Sequence, residues 1–171
     1  MYTIRKAIIQ DSRAIAEIQV DSYRTAYAPF FPQAYIEHFT YEEQEQDWVD
    51  LLTSETDDIL LVATSTDKQV IGYVLTRARP DIFPGYDSEV IALHVRKSFQ
   101  RQGIGLALLK EAVEKLEEQG CKSVMLWTLK GNPVRKWYES LQGKIIGEKS
   151  YQVDDWTIDE VAYGWEKITS F

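Results

Sequence analysis

The stretch VIALHVRKSFQRQGIGLALLKEAVEKLEEQG, residues 90–120, decides the fold. Its first six residues form an apolar β-type run, RKSF leads out of it, and QRQGIG opens an amphipathic helix from about Gly105 to Gln119. Leu106, Leu109, Val113 and Leu116 share one helix face, backed by Ala112, while Lys110, Glu114, Lys115 and Glu118 point outward. Gly120 is placed to end the helix at the C′ position. A strand, a glycine turn and a helix N-terminus in that order make an anion cradle. The turn's N–H groups and the first unpaired helix N–H groups converge, and the helix dipole adds partial positive charge. Gly103 and Gly105 have no Cβ, so the backbone can approach a ligand closely. A pyrophosphate suits these features best.

Other glycine turns are distinguishable. A Walker A loop ends in Gly-Lys-Ser/Thr, whereas Leu106 and Ala107 follow Gly105, so nothing is placed to hold magnesium. A dinucleotide fingerprint needs a third small residue where Leu108 stands, and belongs in an opening βαβ unit. An ordinary strand-to-helix turn that binds nothing remains the plain alternative.

Gln100-Arg101-Gln102-Gly103-Ile104-Gly105 resembles the Gln/Arg-x-x-Gly-x-Gly/Ala signature of the GCN5-related N-acetyltransferases (GNAT), and Ala92-Leu93-His94-Val95 looks like that family's fourth strand. Asn132, Tyr138 and Gly143 follow at the family's downstream spacing, and Tyr2 to Ile9 resembles its first strand, so the likeness covers nearly the whole chain. The resemblance implies a single domain over residues 1–171 with a mixed α+β fold. It would be a strongly twisted, mixed seven-stranded sheet flanked by about four helices, in the order β-α-α-β-β-β-α-β-α-β-β. Splayed fourth and fifth strands would admit the pantetheine arm of acetyl-coenzyme A, which pairs with exposed strand backbone.

Composition sets broader bounds. The chain has 171 residues, 44% hydrophobic and 27% charged, as expected of a globular domain with a sizeable core. No apolar run is long enough to span a membrane and no signal-peptide core opens the chain, so a cytoplasmic protein is expected. The net charge of −8 argues against a nucleic-acid surface and would draw small cations. The single cysteine, Cys121, has no nearby histidine to activate it and reads as packing.

Along the chain, Tyr2 to Ile9 reads as a strand with Ile4 and Ile8 inward, and Asp11 or Ser12 can cap the helix that follows. That helix places Ile15, Ile18 and Ser22 on its inner face and ends in an aromatic turn before Pro29. An acidic helical region, residues 33–53, is expected to break near Thr40. Ile59 to Thr64 and Val70 to Arg77 make a hairpin, Arg79 to Asp87 a loop beside the cleft, and Lys122 to Leu129 a strand. Asn132-Pro133 starts a helix that Gly143 ends, and two strands joined by Asp154-Asp155-Trp156 close the chain.

The resemblance also implies roles. Backbone N–H groups of Gln102, Gly103, Ile104, Gly105, Leu106 and Ala107 would hold a coenzyme pyrophosphate, with Arg101 adding charge and Gln100 supporting the turn. The Leu93, His94, Val95 strand would offer backbone to the pantetheine arm, and the Asn132 amide would contact it or simply cap its helix. Tyr138 matches the family's general acid, since a tyrosine hydroxyl stays protonated at neutral pH. For the base, Glu89 stands at the start of a buried strand, where desolvation raises a carboxylate pKa. His94 is the rival by intrinsic pKa, but simple alternation puts it on the opposite face unless a bulge intervenes. Tyr23, Arg24, Tyr27, Phe30, Phe31, Asp154, Asp155 and Trp156 are candidates for the acceptor wall, where rings and carboxylates suit a cation. The expected activity is acetyl transfer to a small-molecule primary amine by direct attack, without a metal. Peptide or lysine acetylation, or a non-catalytic acyl-CoA-binding module, are the competing readings. Homodimers are frequent among similar proteins.

Overall fold

A computed structural model of the chain describes residues 1–168; residues 169–171 of the expected domain lie outside the described residues. The strands are β1 (Tyr2–Lys6), β2 (Ile59–Ser65), β3 (Val70–Phe83), β4 (Tyr86–Val95), β5 (Val124–Leu129), β6 (Lys144–Val153) and β7 (Trp156–Trp165). They form a seven-stranded sheet ordered β1-β2-β3-β4-β5-β7-β6. Only the β4–β5 pairing is parallel; every other neighbouring pair is antiparallel, which makes the expected mixed sheet. The helices are α1 (Ser12–Ser22), α2 (Gln33–Glu37), α3 (Tyr41–Thr53), α4 (Ile104–Glu118) and α5 (Arg135–Ser140). Among the described residues no helix is long and apolar enough to cross a membrane.

The helix α4 packs on one face of the sheet, burying Ile104, Leu108, Leu109, Ala112, Val113 and Leu116 against Leu61, Val74, Leu126 and Val161. Leu108 therefore takes the inner place expected of Leu106, which lies on the flank beside the glycine turn. Gly120, at φ +91°, ends this helix: its N–H bonds the Glu117 carbonyl, and the Cys121 N–H returns to Leu116. Cys121 is buried in the same core. On the other face α1 and α3 bury Ile15, Ile18 and Trp48 against Leu60, Val62 and Tyr73. The break at Thr40 is a cap, since its Oγ1 accepts the Glu43 N–H and donates to the Glu43 carboxylate.

Four local expectations need correction. The first strand stops at Lys6 and Ile8 is half exposed, because Asp11 bends the chain: its carboxylate accepts the Ile8 N–H and a two-pronged ion pair from Arg5. Asp11 does stand at the N-cap position of α1, but its carboxylate is engaged by Arg5 and the Ile8 N–H and makes no side-chain cap, and Ser12 lies inside the helix. Residues 79–87 are no free loop but the tip of the β3–β4 hairpin, closed at Phe83↔Tyr86 around Pro84-Gly85, with Gly85 at φ +84°. Packing of Phe83 against Tyr86 and Trp127 overrides the local Pro and Gly signal. Finally, Gln142 at φ +64°, not Gly143, is the left-handed residue after α5; Gly143 is needed because a Cβ there would lie 2.7 Å from the Trp165 ring.

Candidate active site

The turn between β4 and α4 has the form of an anion cradle. Arg101 (φ +61°) and Gly103 (φ +80°) both adopt left-handed backbone, and Gly103 is the N-cap, with open space where a Cβ would project. Ile104, Gly105 and Leu106 begin the helix and so carry N–H groups with no partner inside it. Ala107 must be withdrawn from the cradle, because its N–H already bonds the Gly103 carbonyl at 3.0 Å. Gln100 braces the turn as expected, donating from Nε2 to the Val95 carbonyl at 3.0 Å, and Gln102 donates from its side chain to Ser98. The Val95 oxygen keeps a second lone pair.

Beside the cradle the sheet opens. Among the described residues β4 and β5 are paired only at Glu89↔Met125, so from Val90 through Leu93 and His94 to Val95 no described strand lies on the β4 edge that faces β5. On its other edge β4 carries a bulge. Leu75 faces Ala92 and Thr76 faces Val90, leaving Ile91 as the extra residue. The bulge resets the alternation and brings His94 to the same face as Glu89. Val90, Leu93 and Val95 consequently look towards α4, whereas Ala92 looks towards α1 and α3.

The two candidate bases differ in electrostatics. Burial raises the Glu89 carboxyl pKa, and the charges of Arg79, Lys149 and Arg77 oppose that rise. His94, packed between the rings of Tyr27 (5.9 Å) and Tyr73 (5.4 Å), is pushed down to about 4 by burial, so it is neutral at pH 7. A carboxylate poised upward and an imidazole held neutral occupy one face.

Tyr138 approaches from the α4 side. It is buried among Trp137, Tyr163 and Trp165, and its hydroxyl bonds no described residue. Burial raises its pKa well above the ordinary tyrosine range, with a smaller contribution from Tyr27, which reaches it from the opposite face. Asn132 does cap its segment: Oδ1 accepts the Val134 N–H at 3.0 Å, which leaves the amide NH₂ free among the described residues.

The expected acceptor wall divides. Tyr23 and Tyr27 lie in a π-helical turn after α1, 5.0 Å apart, and burial raises both pKa values. Phe31 is core, stacked on Tyr35 at 4.9 Å, and Phe30 packs on Gly131. Arg24 turns away to lie over the Tyr41 ring. Trp156 is exposed at the outer end of β7, on the face of Ile158 and Glu160, and stacks on no ring among the described residues. Asp154 borders a separate cavity of about 420 Å³ with Tyr35, His38 and Phe39.

Three residues escaped sequence reasoning. Glu160 on β7 is mostly enclosed and raises the pKa of Glu89, Tyr23, Tyr27 and Tyr151, the last pushed up to about 12 chiefly by burial. Its partner Lys149 lies 3.0 Å away and over the Trp127 ring at 4.1 Å. Strand alternation was the available signal, since Glu160 interrupts an otherwise apolar face shared with Ile158 and Ala162.

Residues 17–143 match the sequence profile of the Acetyltransferase (GNAT) family. The chain belongs to that family. As a GNAT protein it is an acetyl-transferring enzyme, and relatives span nearly its full length. It is 29% identical over 170 residues to the uncharacterized N-acetyltransferase YuaI of Bacillus subtilis, covering 99% of this chain and 96% of that one. It is 24% identical over 134 residues to a spermidine N(1)-acetyltransferase of Thermoplasma acidophilum, covering 77% and 80%. Among solved structures, the PaiA N-acetyltransferase of Thermoplasma acidophilum in complex with coenzyme A superposes with a TM-score of 0.70 at 22% identity, covering 94% and 98%.

Proposed function

We propose that this GNAT protein, as one domain over residues 1–171, acts in the cytoplasm to transfer the acetyl group of acetyl-coenzyme A to a primary amine of a small molecule. The observation that carries the small-amine reading is the gathering of Glu89, Glu160, Tyr23, Tyr27 and Trp127 on one face at the mouth of the β4–β5 opening. Half-buried carboxylates among rings favour a compact cation. The spermidine-acetylating relative and the coenzyme A complex of a structural neighbour support the same direction.

The residues present fit the coenzyme. The N–H groups of Gln102 to Leu106, with Gly103 open and Arg101 adjacent, would take its pyrophosphate, and the free β4 edge its amide-bearing arm. The co-substrate supplies an activated thioester. Glu89 takes a proton from the incoming ammonium, directly or through water, so that the amine can form the new C–N bond. Tyr138 donates its hydroxyl proton to the sulfur as the C–S bond breaks. The nitrogen loses two protons on the way from ammonium to amide, the first to Glu89 and the second to the Tyr138 oxygen that has protonated the sulfur, so one proton is released overall. Asn132 would orient the arm through its free amide.

Release of coenzyme A thiol, measured with a panel of small amines, amino acids and short peptides, tests this reading. We expect small amines to exceed peptides at least about tenfold in kcat/KM. Faster turnover of a peptide N-terminus or peptide lysine would replace the small-molecule reading with protein acetylation.

A further inference from the structure

The ion pair between Lys149 and Glu160 has the composition of a ligand site. The Lys149 ammonium is 4.1 Å from the centre of the Trp127 ring and 3.0 Å from Glu160 Oε2, so one cation meets a π face and a carboxylate together. The two hosts are built in. Trp127 is half-buried on β5 with its edge braced by Phe83 at 6.2 Å, and the Glu160 side chain is only 18% exposed. The guest is not, since the Lys149 side chain is 47% exposed and reaches diagonally across β7 from the outer strand β6. A long, flexible lysine can leave for water at little cost. A firm host holding a loosely held cation is an ammonium site occupied by the chain's own side chain.

Its position relative to the chemistry follows from neighbours. Trp127 of β5 and Glu160 of β7 lie on the same sheet face as Glu89 of β4, with β5 standing between β4 and β7. Glu160 therefore stands two strands away from Glu89, across the β4–β5 opening.

We propose that Trp127 and Glu160 form a second ammonium subsite, that Lys149 is its resident competitor, and that the acceptor is accordingly a diamine or polyamine whose distal ammonium displaces Lys149. This rests on the small-amine reading and narrows it to a substrate class. Monoamines would react without using the subsite.

The test compares α,ω-diamines from diaminopropane to diaminooctane with the monoamines of equal length. In the unaltered protein the best diamine should have a KM about tenfold below its monoamine. Glu160→Gln should bring that ratio to about one, and the ratio cancels any effect of the substitution on catalysis. Lys149→Met, which keeps the apolar stem and removes the charge, should lower the diamine KM several-fold. Calorimetric titration of diamines into protein saturated with coenzyme A reads the same preference without turnover. Equal diamine and monoamine affinities, or a preference that survives Glu160→Gln, would overturn the subsite while thiol release from monoamines kept the transferase reading intact. Absence of turnover with every amine would overturn that reading, and the titration would still decide the subsite.

Discussion

At the scale of single residues, the environments of Tyr138 and Glu89 are biased in the directions that proton transfer requires. Burial holds the Tyr138 proton on at neutral pH, and because its hydroxyl has no partner among the described residues, Phe preserves the packing seen there. Tyr138→Phe should cut kcat by about 10²–10⁴-fold while leaving acetyl-coenzyme A affinity nearly unchanged; an unaltered kcat would remove the acid assignment. Burial lifts the Glu89 pKa as well, which makes its carboxylate a better proton acceptor. The working form is the carboxylate, so kcat/KM should rise with pH through that lifted pKa, and Glu89→Gln should flatten this acidic limb. Stability has a matching sign. A carboxyl whose folded pKa exceeds its unfolded value binds its proton more tightly when folded, so stability falls as pH rises through the interval between the two. Glu89→Gln should therefore lose activity and gain melting temperature at neutral pH. A pH profile unchanged in shape would dismiss Glu89 as the base.

At the scale of elements, two glycines separate cofactor from acceptor. Gly103 is left-handed in open space, so Gly103→Ala strains only backbone, by about 1–2 kcal/mol, and should weaken acetyl-coenzyme A binding more than amine binding. Gly131→Ala puts a Cβ 2.5 Å from the Phe30 ring and, if Phe30 borders the proposed acceptor wall, should mainly raise the amine KM. Kinetic titration of each variant checks the split, and matching shifts in both constants would contradict it. The β4-turn-α4 unit was legible in sequence because everything that builds it is local: an apolar run, two glycines and a helical period ending at Gly120. The β4 bulge was not. An extra residue opposite the Leu75–Thr76 step depends on register with β3, and no composition signal marks Ile91 as the residue left over. That register alone turns His94 onto the face of Glu89. The β3–β4 hairpin tip misled for a related reason, since Pro80, Pro84 and Gly85 argue for a loop until Phe83 finds Trp127.

At the scale of the molecule, strands distant in sequence assemble the proposed acceptor face. Glu160 acquires meaning only when β7 inserts between β5 and β6 and carries it to the mouth of the opening, which is why a linear motif can single out Tyr138 as a candidate and pass over Glu160. The net charge of −8 works over the same distance. Steering by this field is screened within about 10 Å at 0.1 M salt, so kcat/KM for cationic amines should fall as ionic strength rises, and more steeply for a dication than a monocation. A salt-independent rate would mean that only local contacts attract the acceptor. The central claim, that the turn between β4 and α4 holds the coenzyme of an acetyl transfer, is tested most directly by thermal unfolding with acetyl-coenzyme A, against NADH and ATP. At about 100 times its Kd, acetyl-coenzyme A should stabilise the protein by about 2.7 kcal/mol, about 5–10 °C for a domain of this size, with no comparable shift from the other two. No shift with acetyl-coenzyme A, or a larger one with NADH, would contradict the account at its foundation.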